Sequence, residues 1–260
     1  MKSLNGSEVA GFIKERQAHQ VRSFSRKPIL VIFRDSENPV IEKYVKLKQR
    51  YGEDIGVEVR DELVKAEELN KRITEANRDS EVDGIIVQLP LETVEKEETE
   101  KILDEIAPEK DVDGLGVRAK FSSATATAID WLLNAYDVRL EQKKIALVGY
   151  GKLVGRPLKK MWENYAVEVF RSNSDLSELY NYDVIVTATG KPRLIRKEMI
   201  RPGCVIVDAG TASENGVLVG DVDDEVRELS NIRAITPKIG GVGPMTVAAL
   251  FEHVIMTKTK

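Results

Sequence analysis

The chain has 260 residues, a formal net charge of -4 from 39 basic and 43 acidic residues, and a hydrophobic content of 42%. That length suffices for two ordinary domains or one large α/β unit, and the hydrophobic content excludes a disordered chain. The nearly balanced charge argues against a nucleic-acid-binding protein, which needs a basic excess or a basic face.

Cysteine and histidine usage narrows the class further. Cys204 is the only cysteine, so an intrachain disulfide is impossible and a reducing compartment is favoured. Because His19 and His253 are the only histidines, we expect no bound metal. No apolar run has the length of a membrane span or of a signal-peptide core, so we expect a cytoplasmic protein that contacts no membrane.

Strand and helix patterns alternate through the first half of the chain. Apolar runs predict three strands, and amphipathic patterns predict a helix after each one. The predicted strands are residues 28–33, 56–61 and 83–89, and the predicted helices are residues 40–51, 63–77 and 94–106. This βαβαβ order implies parallel strands with right-handed crossovers.

The irregular segment 107–126, rich in Asp, Gly, Ser and Lys, is the best candidate for a domain boundary. A second alternating unit follows it, so we predict an α/β fold of two domains, residues 1–120 and 121–243. We expect the final helix, residues 244–260, to pack back on the first domain. The second unit's predicted helices are 128–136 and 153–165, and its strands are 143–151, 166–172, 183–190, 204–210 and 232–237.

The stretch "VGYGKLVGRP" follows a predicted strand and opens a helix, which is the context of a dinucleotide-binding loop. Gly149 and Gly151 fit the first two glycines of the G-x-G-x-x-G fingerprint, whereas Gly155 comes one residue late. Glycines here let the backbone approach a pyrophosphate at the helix N-terminus. A plain tight turn is the alternative interpretation.

The next strand bears on the choice of cofactor. NAD-binding proteins usually end this strand with an acidic residue, but here it ends in Arg171 and Ser172, which suit the 2′-phosphate of NADP. Glu168 lies within the strand and counts only weakly for NAD, while Arg171 could be a solvated loop residue. The stretch "ATGKP", residues 188–192, predicts a second ligand loop at the strand ends.

Tyr44 and Lys48 are four residues apart and share one face of the second predicted helix. Gln88 interrupts an otherwise apolar strand, and a buried amide without partners costs about 1–3 kcal/mol. We predict that Gln88 holds the Lys48 amine, whose pKa falls when it is shielded from water. Ordinary surface packing of Tyr44 and Lys48 is the alternative.

Two further stretches are candidates for ligand contact. "KDVDG" is typical of a turn, but its place after the third strand makes Asp113 a candidate ligand-facing carboxylate. "KIGGVGPMT", residues 238–246, is richer in glycine than a simple connection requires. We interpret it as backbone shaped around a bound ring system.

The motifs "YVKLK", "DGIIVQLPL", "PEKDVDG", "VGRP", "GDVD" and "GGVGPMT", in this order, closely resemble the methylenetetrahydrofolate dehydrogenase/cyclohydrolase family. The resemblance covers nearly the whole chain. It implies a bifunctional enzyme of one-carbon metabolism and purine biosynthesis that oxidises 5,10-methylenetetrahydrofolate with NADP, NAD being possible. The enzyme would then hydrolyse the methenyl product to 10-formyltetrahydrofolate. It also implies a homodimer and an active-site cleft between a folate-binding catalytic domain and a Rossmann-type NAD(P)-binding domain.

The resemblance also implies roles for individual residues. Lys48 would be the catalytic lysine and Gln88 its hydrogen-bond partner. Tyr44 would stack on the folate, and Asp113 would hold the edge of the pterin. The other implied substrate-binding residues are Gly241, Val242 and Pro244. The implied cofactor-binding residues are Gly149, Tyr150, Gly151, Lys152, Val154, Gly155, Arg156, Arg171, Ser172, Ala188, Thr189, Gly190 and Thr211.

The chain departs from the family pattern at several places. Ile41 stands where most relatives have serine, and "SATA", residues 123–126, replaces "PCTP". Tyr150 and Gly151 replace Arg-Ser, which removes one expected contact to the 2′-phosphate, and Ile239 replaces a proline. Two alternatives stay open: an NADP-dependent dehydrogenase of the shikimate or amino-acid type, and a non-catalytic nucleotide-binding sensor.

Overall fold

A computed structural model describes residues 1–214 and 217–258. The chain divides into two compact units. The first unit comprises residues 11–124 and the chain from 247 onward, and the second comprises residues 1–10 and 125–246. No helix within the described residues is long and apolar enough to cross a membrane.

The strands and helices alternate along the described chain. The strands are β1 (Lys2–Ser3), β2 (Ile29–Arg34), β3 (Glu58–Leu63), β4 (Gly84–Val87), β5 (Lys144–Val148), β6 (Ala166–Phe170), β7 (Val184–Thr187), β8 (Val205–Asp208), β9 (Ala212–Glu214), β10 (Val217–Val219) and β11 (Ala234–Ile235). The α-helices are α1 (Gly6–Val21), α2 (Pro39–Ile55), α3 (Ala66–Arg78), α4 (Lys96–Asp104), α5 (Ala124–Ala135), α6 (Gly155–Met161), α7 (Asp224–Arg227) and α8 (Val242–Lys258). Leu176–Asn181 and Lys197–Met199 form 3₁₀ helices.

The first unit is built on a parallel sheet in the order β3-β2-β4. The central strand β2 and the strand β4 are buried along nearly their whole length, as the continuous apolar runs predict. The third predicted strand is shorter than expected and ends at Val87. Gln88 still donates its backbone N–H to Phe33, but Pro90 has no N–H with which to continue the ladder.

Helix α2 carries the predicted lysine site, and both of its ends have clear causes. The Asn38 side chain accepts a hydrogen bond from the Val40 N–H, and Pro39 occupies the first turn, where its missing N–H costs nothing. Gly56 ends the helix with a φ of 87°, a left-handed conformation that glycine adopts without strain. The helix is therefore longer than the predicted 40–51.

The second unit is built on a parallel sheet in the order β1-β11-β8-β7-β5-β6. Its first strand, β1, lies at the start of the chain, where no strand was predicted. Residues 1–10 lie in this unit because Lys2 and Ser3 pair with Ala234 and Ile235 of β11. The β9–β10 hairpin and helix α1 were not predicted either.

Most predicted elements of the second half are present with shifted ends. Helix α5 begins at Ala124 instead of 128, and α6 covers only part of the predicted 153–165. Helix α8 begins at Val242, two residues before the predicted start. The last two residues of the predicted helix 244–260 lie outside the described residues.

Candidate active site and cofactor loops

Lys48 and Gln88 meet in the first unit, as the sequence predicts. The Lys48 amine donates a hydrogen bond to the Gln88 side-chain oxygen at 2.5 Å. The Gln88 amide nitrogen donates to the Leu89 carbonyl at 2.9 Å, which fixes which end of the amide faces the lysine. Gln88 is only 8% exposed, and these two hydrogen bonds give both its amide oxygen and its amide nitrogen a partner, as a buried amide requires.

Asp113 completes an electrostatic pair with Lys48. Burial lowers the pKa of Lys48, and the nearby Asp113 carboxylate partly opposes this change. Burial raises the pKa of Asp113 to about 6, while Lys48 acts to lower it and Asp111 to raise it further. Both shifts favour the uncharged forms, so this lysine can exchange protons closer to neutrality than a solvated one.

The loop that presents Asp113 is a turn stabilised by Asp111, a role that sequence reasoning did not assign. The Asp111 carboxylate accepts hydrogen bonds from the backbone N–H groups of Gly114, Leu115 and Gly116, at 2.9, 3.1 and 2.7 Å. The turn interpretation of "KDVDG" is therefore correct, and Asp111 is the residue that makes the turn. The Asp-x-x-Gly spacing was the available signal.

Tyr44 lies one helical turn before Lys48, half-buried on α2, and burial raises the pKa of its phenol. Ile41, which occupies the usual serine position, is buried in the core at 2% exposure. An apolar residue at this place therefore contributes to packing of α2 rather than to a polar site.

Three loops of the second unit meet at the carboxyl ends of β5, β7 and β8. A Cβ on Gly149 would lie 2.6 Å from the Ala188 carbonyl oxygen, and one on Gly155 would lie 2.2 Å from the Gly149 carbonyl oxygen. A Cβ on Gly190 would lie 3.6 Å from the Thr211 carbonyl oxygen. The predicted cofactor loops are thus in close mutual contact, although they come from separate strands.

Space for a ligand remains beside this cluster. A Cβ on Gly151 would meet no atom within 4 Å, so the backbone there is open to an approaching phosphate. Ser172 and Arg156 are exposed and Lys152 is half-buried, whereas the side chain of Val154 is buried at 7% exposure. The glycine loop therefore fits a dinucleotide by its backbone and its flanking polar side chains.

Asp221, within the "GDVD" motif, fixes the loop that follows β7. Its carboxylate accepts hydrogen bonds from the Thr187 hydroxyl and from the Thr189 N–H, each at 2.6 Å. Its other oxygen is buried and has no hydrogen-bond partner in the part of the chain that the structure describes. Like Asp111, Asp221 has a structural role that could not be assigned from the sequence.

Arg171 and Tyr150 contact each other at the predicted 2′-phosphate position. The Arg171 guanidinium carbon lies 4.4 Å from the centroid of the Tyr150 ring, a cation–π geometry. The Arg171 backbone N–H is held by the Ser174 hydroxyl at 2.9 Å. Glu168, the acidic residue considered for NAD, is instead the acceptor of the Tyr182 hydroxyl in the middle of β6.

The high glycine content of the loop 238–246 is partly explained by the local backbone. Gly240 adopts a φ of 85°, and a Cβ on Gly6 would lie 1.9 Å from the Gly241 carbonyl oxygen, so the chain approaches itself closely here. Val242 is buried, and Pro244 is half-buried in the first turn of α8. Gly243 differs from Gly240 and Gly241 in having open space around its Cβ position.

The fold and these two groups of residues define a class of protein. One unit presents a half-buried lysine with a lowered pKa beside a carboxylate, and the other is a Rossmann-type sheet with dinucleotide-binding loops. Among the described residues, no cluster of three or more His, Cys, Asp or Glu could hold a metal ion. This is an α/β enzyme with a dinucleotide-binding domain and a separate lysine site.

Family models identify the enzyme family within this class. Residues 4–113 match the catalytic domain of tetrahydrofolate dehydrogenase/cyclohydrolase, and residues 123–260 match its NAD(P)-binding domain. The chain therefore belongs to the tetrahydrofolate dehydrogenase/cyclohydrolase family, and the resemblance found in the sequence is confirmed.

Individual relatives agree with the family models over almost the full length. A bifunctional protein FolD of Thermus thermophilus is 38% identical, covering 97% of this chain and 94% of the relative. The crystal structure of FolD from Campylobacter jejuni has a TM-score of 0.91 at 33% identity, covering 100% and 99% of the two chains. The Trypanosoma brucei enzyme, complexed with NADP and an inhibitor, has a TM-score of 0.89 at 28% identity, covering 99% and 97%.

The shikimate-type alternative is similar only at the level of the fold. Shikimate 5-dehydrogenase from Thermus thermophilus has a TM-score of 0.54 at 17% identity, covering 90% of this chain. The shared fold explains why the sequence left that alternative open.

Proposed function

We propose that this enzyme oxidises 5,10-methylenetetrahydrofolate to the methenyl cation with NADP and then hydrolyses the cation to 10-formyltetrahydrofolate. The observation that carries the proposal is the Lys48 amine, hydrogen-bonded to Gln88 and coupled to Asp113, with a pKa lowered by burial. The FolD relative from Campylobacter jejuni, whose name gives both the dehydrogenase and the cyclohydrolase activity, supports it.

Hydrolysis of the methenyl cation needs a water molecule that loses a proton as its oxygen bonds to the cationic carbon. A neutral Lys48 amine can accept that proton and return it to the folate nitrogen when the carbon–nitrogen bond of the ring breaks. Gln88 would orient the amine, since its oxygen accepts one N–H and leaves the nitrogen lone pair free. A neutral amine is also favoured beside a cationic substrate.

Oxidation needs a different contribution from the chain. NADP, when bound, supplies the acceptor for the hydride that leaves the methylene carbon, while a folate nitrogen lone pair stabilises the cation that remains. The protein then has mainly to position the reacting groups. We assign ring stacking on the folate to Tyr44 and a hydrogen bond to the pterin edge to Asp113. Further substrate contacts come from Gly241, Val242 and Pro244.

NADP is the cofactor that the second unit suits best. The pyrophosphate would lie against the backbone of the loop from Gly149 to Gly155, where a Cβ at Gly151 would meet nothing. Arg171 and Ser172 would bind the 2′-phosphate, because a guanidinium forms charge-assisted hydrogen bonds with phosphate. The remaining cofactor contacts are assigned to Tyr150, Lys152, Val154, Arg156, Ala188, Thr189, Gly190 and Thr211.

The wider setting follows from the same assignment. We propose a folate-binding domain formed by residues 1–120 together with the last helix, a cofactor domain formed by residues 121–243, and a homodimer in the cytoplasm. The product would enter one-carbon metabolism and purine biosynthesis. Sedimentation of the purified protein with and without NADP tests the homodimer.

The function is tested by assaying wild type and Lys48→Met in parallel, following NADPH formation and methenyl-folate decay separately. Lys46→Met is the matched control, because Lys46 is on the same helix but its side chain is 73% exposed and pairs with Glu42. We expect Lys48→Met to lose hydrolysis while still binding NADP and folate, and Lys46→Met to retain both activities. Undiminished hydrolysis in Lys48→Met would contradict the proposal.

A further inference from the structure

His253 is a buried histidine of α8 that the proposed chemistry does not use. It is 5% exposed, and its Nδ1 lies 2.8 Å from the carbonyl oxygen of Val112, the residue before Asp113. Because a carbonyl can only accept, Nδ1 carries the proton and donates it. Burial lowers the pKa of His253, which keeps the ring neutral and this tautomer fixed.

The same ring also contacts the segment that returns toward α5. It stacks on Phe121, with ring centroids 4.6 Å apart and an angle of 16° between the planes. Three residues further on, the Ala124 N–H donates to the carbonyl oxygen of Asp113 at 3.0 Å. His253 therefore contacts the loop that carries Asp113 at two places, at Val112 before Asp113 and at Phe121 after it.

The loop between these two contacts has little freedom of its own. Gly114 turns the chain with a φ of 69°, and a Cβ on it would lie 2.4 Å from the Ser122 carbonyl oxygen. Within the described residues, no side-chain hydrogen bond holds the Asp113 carboxylate itself. Its position relative to Lys48 therefore depends on where the backbone from Val112 to Gly114 is held.

We propose that His253 is a positioning residue that sets the Asp113 carboxylate for folate binding, acting through the Val112 carbonyl and Phe121. The inference rests on the proposed role of Asp113 as a substrate ligand. A histidine that only fills space in the core would need neither the hydrogen bond to a residue next to Asp113 nor the stacking contact on the opposite side of the same loop.

The test compares three variants of the full-length enzyme. His253→Phe keeps an aromatic ring against Phe121 but removes the donor, and we expect about a fivefold rise in the KM for methylenetetrahydrofolate, equivalent to about 1 kcal/mol. The KM for NADP should not change. His253→Asn supplies an amide donor near the position of Nδ1 and should restore most of the folate affinity. Ile255→Val, buried on the same helix, should lower the Tm but leave the folate KM unchanged.

The pH profile separates positioning from simple packing. When the donor is lost, the loop can relax toward water, and the burial that raises the pKa of Asp113 to about 6 is reduced. The acid limb of kcat/KM for methylenetetrahydrofolate should then move to lower pH in His253→Phe and return in His253→Asn. If His253→Phe lowers only the Tm, with the folate KM and acid limb of wild type, the inference is wrong.

Two additional variants keep the test decisive. Should His253→Phe fail to fold, Phe121→Leu removes the stacking contact and keeps the donor, and an unchanged folate KM there would contradict the inference. Asp113→Asn addresses the underlying role separately. If Asp113→Asn leaves the folate KM unchanged, the assignment of Asp113 as a ligand fails, whatever the histidine variants do.

Discussion

Replacing Gln88 by glutamate tests whether hydrolysis depends on a neutral Lys48. The substitution keeps the size of the side chain and puts a carboxylate where the amide oxygen now accepts the lysine hydrogen bond at 2.5 Å. An adjacent negative charge stabilises the ammonium form, so the pKa of Lys48 must rise. The direction is opposite to the lowering that burial causes in the wild type.

The size of the effect follows from the separation of the charges. Two unit charges 4 Å apart attract by about 4 kcal/mol at an effective dielectric constant of about 20. Burying the new carboxylate offsets part of this, so we expect the ammonium form of Lys48 to gain about 2–3 kcal/mol net. The neutral fraction of Lys48 near neutral pH, and with it the hydrolysis rate, should fall by up to about a hundredfold.

The assay measures methenyl-folate decay against pH, corrected for the uncatalysed reaction. In Gln88→Glu, activity should recover as pH rises toward the new pKa of Lys48. Hydride transfer moves no proton to or from the lysine and should be much less affected. Gln49→Glu, which adds the same charge one residue along α2, is the control for net charge. Hydrolysis in Gln88→Glu at the wild-type rate near neutral pH would refute the role of a neutral lysine.

Three further outcomes are expected. Asp113→Asn should raise the folate KM about tenfold. Because the pKa of Asp113 is raised to about 6, the wild-type protein loses stability as pH rises through that value. The variant should therefore have a higher Tm than wild type at pH 7 and no advantage below pH 4. Arg171→Ala should raise the KM for NADP about tenfold and leave that for NAD nearly unchanged, as measured by initial rates. Tyr51→Phe should lower the free energy of unfolding in urea by about 1–2 kcal/mol, because it removes the 2.8 Å hydrogen bond to the buried Gln17; an unchanged denaturation midpoint would contradict this.

Much of the fold could be predicted because its strands are simple. Strands β2, β4, β5, β7 and β8 are short apolar runs buried on both faces, and α-helices lie between β2 and β4, between β4 and β5, and between β5 and β7. Helix α1 could not be predicted in this way. Its buried face includes Gln17, at 0% exposure, whereas Phe12 on the same helix is 69% exposed. Because polarity and burial are reversed at these positions, the periodic signal is lost.

Gln17 can be buried because residues far along the chain form hydrogen bonds with its side-chain amide. Its amide nitrogen donates to the Ala248 carbonyl at 2.9 Å and to Glu252 at 2.8 Å, and its oxygen accepts from Tyr51. Arg16 in turn donates to both oxygens of Glu252. No local pattern contains such partners, so a polar residue in a core can be recognised only after the tertiary structure is known.

The lysine site was more accessible to sequence reasoning than the loop beside it, for a physical reason. Lys48 and Gln88 each violate a local rule, one as a cation on a half-buried face and the other as an amide next to an apolar strand, and two such violations favour a common explanation. Asp111 and Asp113 violate none, since either can make a turn. The backbone decides between them: the Asp111 carboxylate accepts three N–H groups, whereas the Asp113 carboxylate interacts electrostatically with Lys48. The negative charge of Asp111, in addition to burial, then helps raise the pKa of Asp113, so the aspartate that makes the turn also influences the protonation of its neighbour.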